Sequence, residues 1–180
     1  TSTLRAVCRV SDSEWSLVGD AGVLRGSDGV SISSTSSPTT NDLVDVACLG
    51  TKQAVAVGTG GTVLRLAGST WQPVSPSFPD NGAKLTSVAQ SPLGTLFVAG
   101  DGVFARFDGS AWTSLPSRPK LEHLQVLGST DIYAISNGNE VVHFDGTSWL
   151  TRFTSSEPLF AGASAPGMAV FAGRNGALVE

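Results

Sequence analysis

The sequence predicts an all-β protein: a β-propeller of about five blades, with four complete four-stranded blades and a partial fifth, or part of a larger propeller. Three observations carry this expectation. Five segments open on a leucine at near-regular spacing, Leu4, Leu43, Leu85, Leu121 and Leu159, with gaps of 39, 42, 36 and 38 residues. Each segment holds short apolar bursts separated by Gly, Asp, Asn, Ser or Pro, with no sustained 3.6-residue period, so the elements are strands. Positions also recur in register, with Gly29, Gly68, Gly109 and Gly146 in one column and Ile32, Trp71, Trp112 and Trp149 in another. A third column reads Arg25, Arg65, Arg106 and His143. Four antiparallel strands repeated at roughly 40 residues are the pattern of propeller blades.

Within each unit the order is the same. The opening bursts read LRAVC, LVDVAC, LTSVAQ, LEHLQV and LFAGAS. A second burst follows and ends on a small residue: WSLVG, AVAVG, LFVAG, IYAIS and AVFAG. A tight polar turn comes next, at 20–22, 59–61, 101–102, 137–139 and 174–176. The third burst (VLR, VLR, FAR, VVH, ALV) leads into SDGVSI, AGSTW, DGSAW or DGTSW, which open the fourth strand. Gly and Asn accept positive φ at such hairpins at little cost. The blades are expected at 4–42, 43–84, 85–120, 121–158 and, in part, 159–180, within a single domain over 1–180. A blade packs between two neighbours and buries both faces, so AVAV at 54–57 and LFVA at 96–99 are apolar without alternation. The Trp column is expected to fill the widening gap between blades. The fifth unit stops before its fourth strand. A trimmed five-bladed ring, a longer propeller and a ring shared by two chains all fit.

Composition excludes several classes. Charged residues make up 14% of the 180, against roughly 25% in an average soluble domain. Eleven Lys+Arg against 15 Asp+Glu provide no basic face for nucleic acid. A hydrophobic fraction of 41% argues against disorder. No apolar run approaches the ~20 residues of a membrane helix. GTGGT at 58–62 joins two strands and is a hairpin turn, not a phosphate loop.

The pattern L-x-x-V, then apolar-V-G-[D/T]-x-G-x-[V/L]-[L/A]-[R/H]-x-[D/A]-G-[S/T]-x-W, resembles the β-propeller repeats of large secreted bacterial proteins in the sialidase-like, or BNR/Asp-box, superfamily. The resemblance spans the whole chain. Here the Asp-to-Trp spacing, Asp108 to Trp112 and Asp145 to Trp149, is one residue shorter than in an Asp-box. In that superfamily the box is a structural turn. The resemblance implies an extracellular binding or scaffold module, with a glycosidase as the minority outcome.

No catalytic constellation stands out. The histidines are His123 and His143 and the sole tyrosine is Tyr133, inside a second strand. Glu14, Glu122, Glu140 and Glu157 are scattered, whereas a retaining glycosidase needs two carboxylates about 5 Å apart or, in sialidases, a Tyr with a Glu. No zinc spacing and no nucleophile elbow occur, so no catalytic, metal or cofactor residue is assigned. The Arg column could suggest an anion clamp. Repeated positions are separated by the rotation between blades, however, so the side chains do not converge. They are expected to cover apolar surface or to pair with Asp108 and Asp145.

Cys8 and Cys48 lie in the first strands of adjacent units, at opposite parity from the opening leucine. Facing surfaces of adjacent blades require that parity, so a Cys8–Cys48 disulfide is expected, with two buried thiols as the alternative. A bridge implies an oxidising compartment, extracellular or periplasmic. Function is expected in loops on one face, because such loops sit on a rigid scaffold. The face carrying Asp20, Thr59, Asp101, Asn137 and Arg174, with the blade-joining loops, has the longer and more polar set. These include Asp80-Asn81 and Arg118-Pro119-Lys120. The expected function is non-enzymatic recognition of a protein or carbohydrate partner. The rest of a larger propeller or a second copy of the chain is a further possible partner. The alternative is a sialidase-like glycoside hydrolase with its site at the axis. Because the Trp column reads as internal and Trp15 begins a strand, the sequence singles out no sugar-stacking aromatic.

Overall fold

The computed structural model describes residues 3–76 and 82–179, so Asp80 and Asn81 lie outside the described residues. Every blade is an antiparallel meander. Blade one comprises β1 (Leu4–Arg9), β2 (Trp15–Gly19), β3 (Leu24–Ser27) and β4 (Ile32–Thr35). Blade two comprises β5 (Leu43–Gly50), β6 (Gln53–Gly58), β7 (Val63–Ala67) and β8 (Thr70–Val74). Blade three comprises β9 (Leu85–Gln90), β10 (Leu96–Gly100), β11 (Phe104–Phe107) and β12 (Trp112–Ser114). Blade four comprises β13 (Leu121–Gly128), β14 (Asp131–Ser136), β15 (Glu140–Phe144) and β16 (Trp149–Thr154). The fifth has three strands, β17 (Leu159–Ala165), β18 (Met168–Gly173) and β19 (Leu178–Val179). Among the described residues there is no α-helix, and no helix is long and apolar enough to cross a membrane. Single 3-10 turns at Asp20–Gly22, Thr59–Gly61 and Arg174–Gly176 connect second to third strands. The chain divides into two compact units, 1–88 and 89–180, and the division passes through β9.

In unit 1, alternation along the strands sends one set of side chains toward the next blade and the other set back. Val18 and Leu24 of blade one meet Ala54, Ala56, Leu64, Leu66 and Trp71 of blade two in a single apolar cluster. Unit 2 repeats the scheme: Phe97, Ala99 and Phe104 of blade three face Ile132, Ala134, Val142 and Phe144 of blade four. Ile135 and Val141 then face Leu159 and Phe171 of blade five. Both faces of an inner strand are therefore buried, which is why β6 and β10 lack alternation. Phe104 stands at the centre of an aromatic group, 5.9 Å from Phe97, 5.1 Å from Phe144 and 5.0 Å from Trp149 between ring centroids.

Strand register corrects one expected column. Arg65, Arg106 and His143 lie opposite Val55, Phe97 and Tyr133. The equivalent residue of blade one, opposite Ser16, is Gly26, and Arg25 is opposite Leu17. A displacement of one residue turns a side chain to the other face of the sheet. Arg25 thus donates to the Ser34 hydroxyl on the face directed away from blade two. The Trp column is real as a register but uneven in burial. Trp71 is buried, Trp112 and Trp149 are half-buried, and Ile32 is exposed. Trp149 bridges blades three and four and donates its indole N–H to Pro116 O at 2.9 Å. Trp112 instead packs on Phe107 of its own blade.

The glycine ending the second strand of blades one, two and five has a steric cause. A Cβ on Gly19, Gly58 or Gly173 would lie 2.0, 1.9 or 2.1 Å from the carbonyl oxygen of Thr3, Asp42 or Pro158. Those same carbonyls accept the amides of Asp20, Thr59 and Arg174 at 2.9 Å, fixing each turn against the entry to its own first strand. Neighbouring blades are joined as well: Gly61 N donates to Ala83 O, Gly102 N to Pro119 O, and Leu159 N to Gly138 O. Cys8 and Cys48 form the expected disulfide, joining β1 to β5 with Cα atoms 5.6 Å apart.

Candidate functional site

The five turn residues singled out from the sequence occupy the same hairpin of successive blades, two in unit 1 and three in unit 2. In unit 1, the Asp20 carboxylate takes the Arg5 guanidinium. The Thr59 hydroxyl accepts the Asp42 amide at 3.1 Å. In unit 2, Asp101, Asn137 and Arg174 are exposed. Asn137 Nδ2 donates to Glu140 Oε2 at 3.3 Å, and Arg118 Nη2 donates to the same oxygen at 3.0 Å. Arg174 stands over the Phe160 ring. Two carboxylates that escaped the sequence reading tie blades together in unit 1. Asp42 Oδ1 accepts Ala21 N at 2.8 Å. Asp45 Oδ2 accepts Ser87 Oγ at 3.0 Å and Val88 N at 2.9 Å. Their signal, a lone Asp before or within an apolar first strand, is not repeated along the chain, so periodicity could not reveal them.

The opposite end of the blades carries the turns between third and fourth strands. Pairing with Asp108 and Asp145 was one of the two roles expected of the Arg column, the other being to cover apolar surface. The two aspartates instead cap their own hairpins, since a short carboxylate reaches backbone amides two and three residues on. Asp108 Oδ1 accepts Ser110 N and Ala111 N, each at 2.9 Å. Asp145 Oδ1 accepts Thr147 N at 2.8 Å and Ser148 N at 2.9 Å. The Ala111 amide, then the Ser110 amide and hydroxyl, lower the Asp108 carboxyl from 3.8 to about 2. The Thr147 hydroxyl, followed by the Ser148 and Thr147 amides, holds Asp145 well below the ordinary carboxylate range. Asp28 is lowered by the amides of Ser31 and Val30.

A depressed folded-state value means that the stability linked to ionisation is complete above the unfolded value of 3.8 and is lost as pH falls through the folded value near 2. The double variant Asp108→Asn, Asp145→Asn is therefore expected to be slightly less stable than the parent at neutral pH, the sites being exposed and screened. The gap should narrow as the pH falls below about 4 and go on narrowing below pH 2, because Asp145 is held lower than Asp108. Urea unfolding across that range checks it, and a gap constant down to the lowest pH would refute it.

Between blades one and two, at this same end, lies a cleft of about 290 Å3. Its walls are Ser16 and Gly26 on one side and Leu66 and Trp71 on the other, with Glu14 and Lys52 at the rim. Lys52 Nζ is 4.0 Å from Glu14 Oε1. The hairpin at Gly68-Ser69 has Ala67 where blades three and four have the capping Asp, so Ser69 is left free to line the cleft.

His143 and Tyr133 are engaged with their neighbours in blade four. His143 Nε2 donates to Asp131 Oδ1 at 2.8 Å, while Nδ1, 3.0 Å from Arg152 Nη2, accepts from the guanidinium. Tyr133 packs against His143 with ring centroids 4.5 Å apart. Among the described residues no three His, Cys, Asp or Glu side chains group as metal ligands.

Meanders of short antiparallel strands that bury their faces on one another are the blades of a β-propeller, and that is the class of this protein. No protein-family model matches the sequence, and no curated protein matches it either. Solved structures with the same fold include YCF48 bound to D1 peptide, with a TM-score of 0.70, 17% identity, and coverage of 98% of this chain and 62% of that one. The WD40 propeller domain of Doa1 gives 0.77, 14%, 98% and 64% in the same order. Virginiamycin B lyase from Staphylococcus aureus gives 0.73, 9%, 98% and 68%. The chain thus spans under two thirds of the length of YCF48 and Doa1. At these identities the likeness is one of fold.

Proposed function

We propose that the chain is a non-enzymatic binding propeller that holds a protein segment on the face carrying the turns between second and third strands. The reading takes residues 1–180 as one propeller domain acting in an oxidising, extracellular or periplasmic, setting, where the Cys8–Cys48 bridge persists. The observation that carries it is the pinning of those turns. Their amides are held by the carbonyls of Thr3, Asp42 and Pro158, while Asp101, Asn137 and Arg174 project from comparable hairpins as exposed side chains. Rigid backbone with variable polar tips suits recognition, because little ordering entropy is lost on binding. YCF48, a propeller of the same fold, is bound to a peptide in its solved structure. A sialidase-like hydrolase is less well supported, since Tyr133 stacks on His143 within the packing of blades four and five.

Selection of displayed peptides against the chain, followed by calorimetric titration, tests the reading. Alanine at Asp101, Asn137 or Arg174 is expected to weaken a selected peptide roughly fivefold or more at one or more positions, the range of side chains that matter at interfaces. Failure to select a binder, or binders indifferent to all three substitutions, would overturn it.

A further inference from the structure

The cleft in unit 1 exists because blade one breaks the pattern of its forward face. Blades two, three and four occupy the outer part of that face with the cross-strand pairs Val55 and Arg65, Phe97 and Arg106, and Tyr133 and His143. Blade one has Ser16 opposite Gly26 at the same place. The backbone does not require that glycine. Gly26 lies outside the positive-φ region, and a Cβ on it would meet Ser33 Oγ at 3.6 Å and Thr35 Oγ1 at 3.8 Å, which is ordinary contact. A glycine inside a strand weakens it, and such glycines often mark a place where a ligand approaches the backbone.

Two polar side chains in the cleft are left without a partner among the described residues. Trp71 and Ser16 are each only 6% exposed. Among the described residues neither the Trp71 indole N–H nor the Ser16 hydroxyl has a hydrogen-bond partner, whereas Trp149, in the same column, donates to Pro116 O. Both side chains line the cleft, and a cleft that presents a donor and a hydroxyl together beside the edge of an aromatic ring is chemically specific.

We propose that this cleft is a binding site for a neutral carbohydrate, one or two sugar rings in size. A volume of about 290 Å3 is at the small end of ligand pockets, which run to roughly 1,000 Å3. A sugar offers an apolar C–H face to the Trp71 wall and hydroxyls that exchange hydrogen bonds with Ser16, Ser33, Ser69 and the indole N–H. Glu14 and Asp28 outnumber Lys52 among the lining charges, so the site repels acidic sugars and anions. The cleft lies between blades one and two, is lined by none of Asp101, Asn137 and Arg174, and stands independently of the peptide reading.

The test uses the whole chain and a panel of glucose, galactose, mannose, fucose, xylose, N-acetylglucosamine and their common disaccharides. Binding is followed by saturation-transfer NMR and tryptophan fluorescence up to millimolar concentration. At least one neutral sugar is expected to bind. Trp71→Phe, which keeps the wall but removes the donor, should weaken it several-fold. The double variant Ser16→Val, Gly26→Arg rebuilds the blade-two pair and should weaken binding at least about tenfold with no loss of thermal stability. Salt should change the affinity less than about twofold, since the ligand is uncharged. No binding across the panel, or binding unaffected by the refilled cleft, would overturn the proposal. So would a preference for acidic sugars or for peptides at this cleft.

Discussion

Replacing Cys8 and Cys48 by serine is expected to remove about 4 kcal/mol of stability, the loop-closure value for a bridge spanning about 40 residues. Domains of this kind are stable by only about 5–15 kcal/mol, so a large part of the margin goes. The structure shows why little compensates. In β1, Leu4 and Val7 are exposed, and its burial is partial along its whole length. The bridge to β5 is the covalent tie that keeps this strand, and with it the packing of Val18 and Leu24 on blade two, in place. Guanidinium unfolding measures the effect. The double variant and the reduced parent should share one lowered midpoint. Unchanged midpoints would mean that β1 docks without help from the bridge.

Phe104→Ala is the second large loss, about 3–5 kcal/mol, the usual cost of truncating a fully packed phenylalanine. Phe104 is 2% exposed and contacts three other aromatic rings, so the cavity cannot be filled by a flexible neighbour. Phe104→Leu keeps most of the volume and should cost less than about half as much. Chemical unfolding gives the energies, and the emission of Trp149, whose ring lies 5.0 Å from Phe104, should shift to the red in the alanine variant. A loss under about 1 kcal/mol would show that the aromatic group is not what holds blades three and four together.

The strands were legible because their signals are local. Apolar bursts, the Gly and Asn of the turns, and the close-approach glycines Gly19, Gly58 and Gly173 each act within a few residues, and repetition reinforced them. The Cys8–Cys48 pairing was also legible, because parity along a strand decides which face a side chain takes. The misassignment of Arg25 came from matching the triplet VLR at 23–25 to VLR at 63–65 by identity. Counting from the turn glycines shows the difference: Val23 is four residues past Gly19, whereas Val63 is five past Gly58. The capping role of Asp108 and Asp145 was open to the same local logic, since Asp two residues before Ser or Thr is a turn signal in its own right.

The amino-acid order alone determined an all-β chain of five repeated meanders, their turns and one cross-link, because each depends on chain-local geometry or on parity. Only the tertiary structure decided which surfaces are filled and which are empty. Ser16 and Gly26 read as unremarkable strand residues until β2 and β3 are paired and set against Leu66 and Trp71. A cleft is a volume missing between two sheets, and that depends on side chains from both, far apart in sequence.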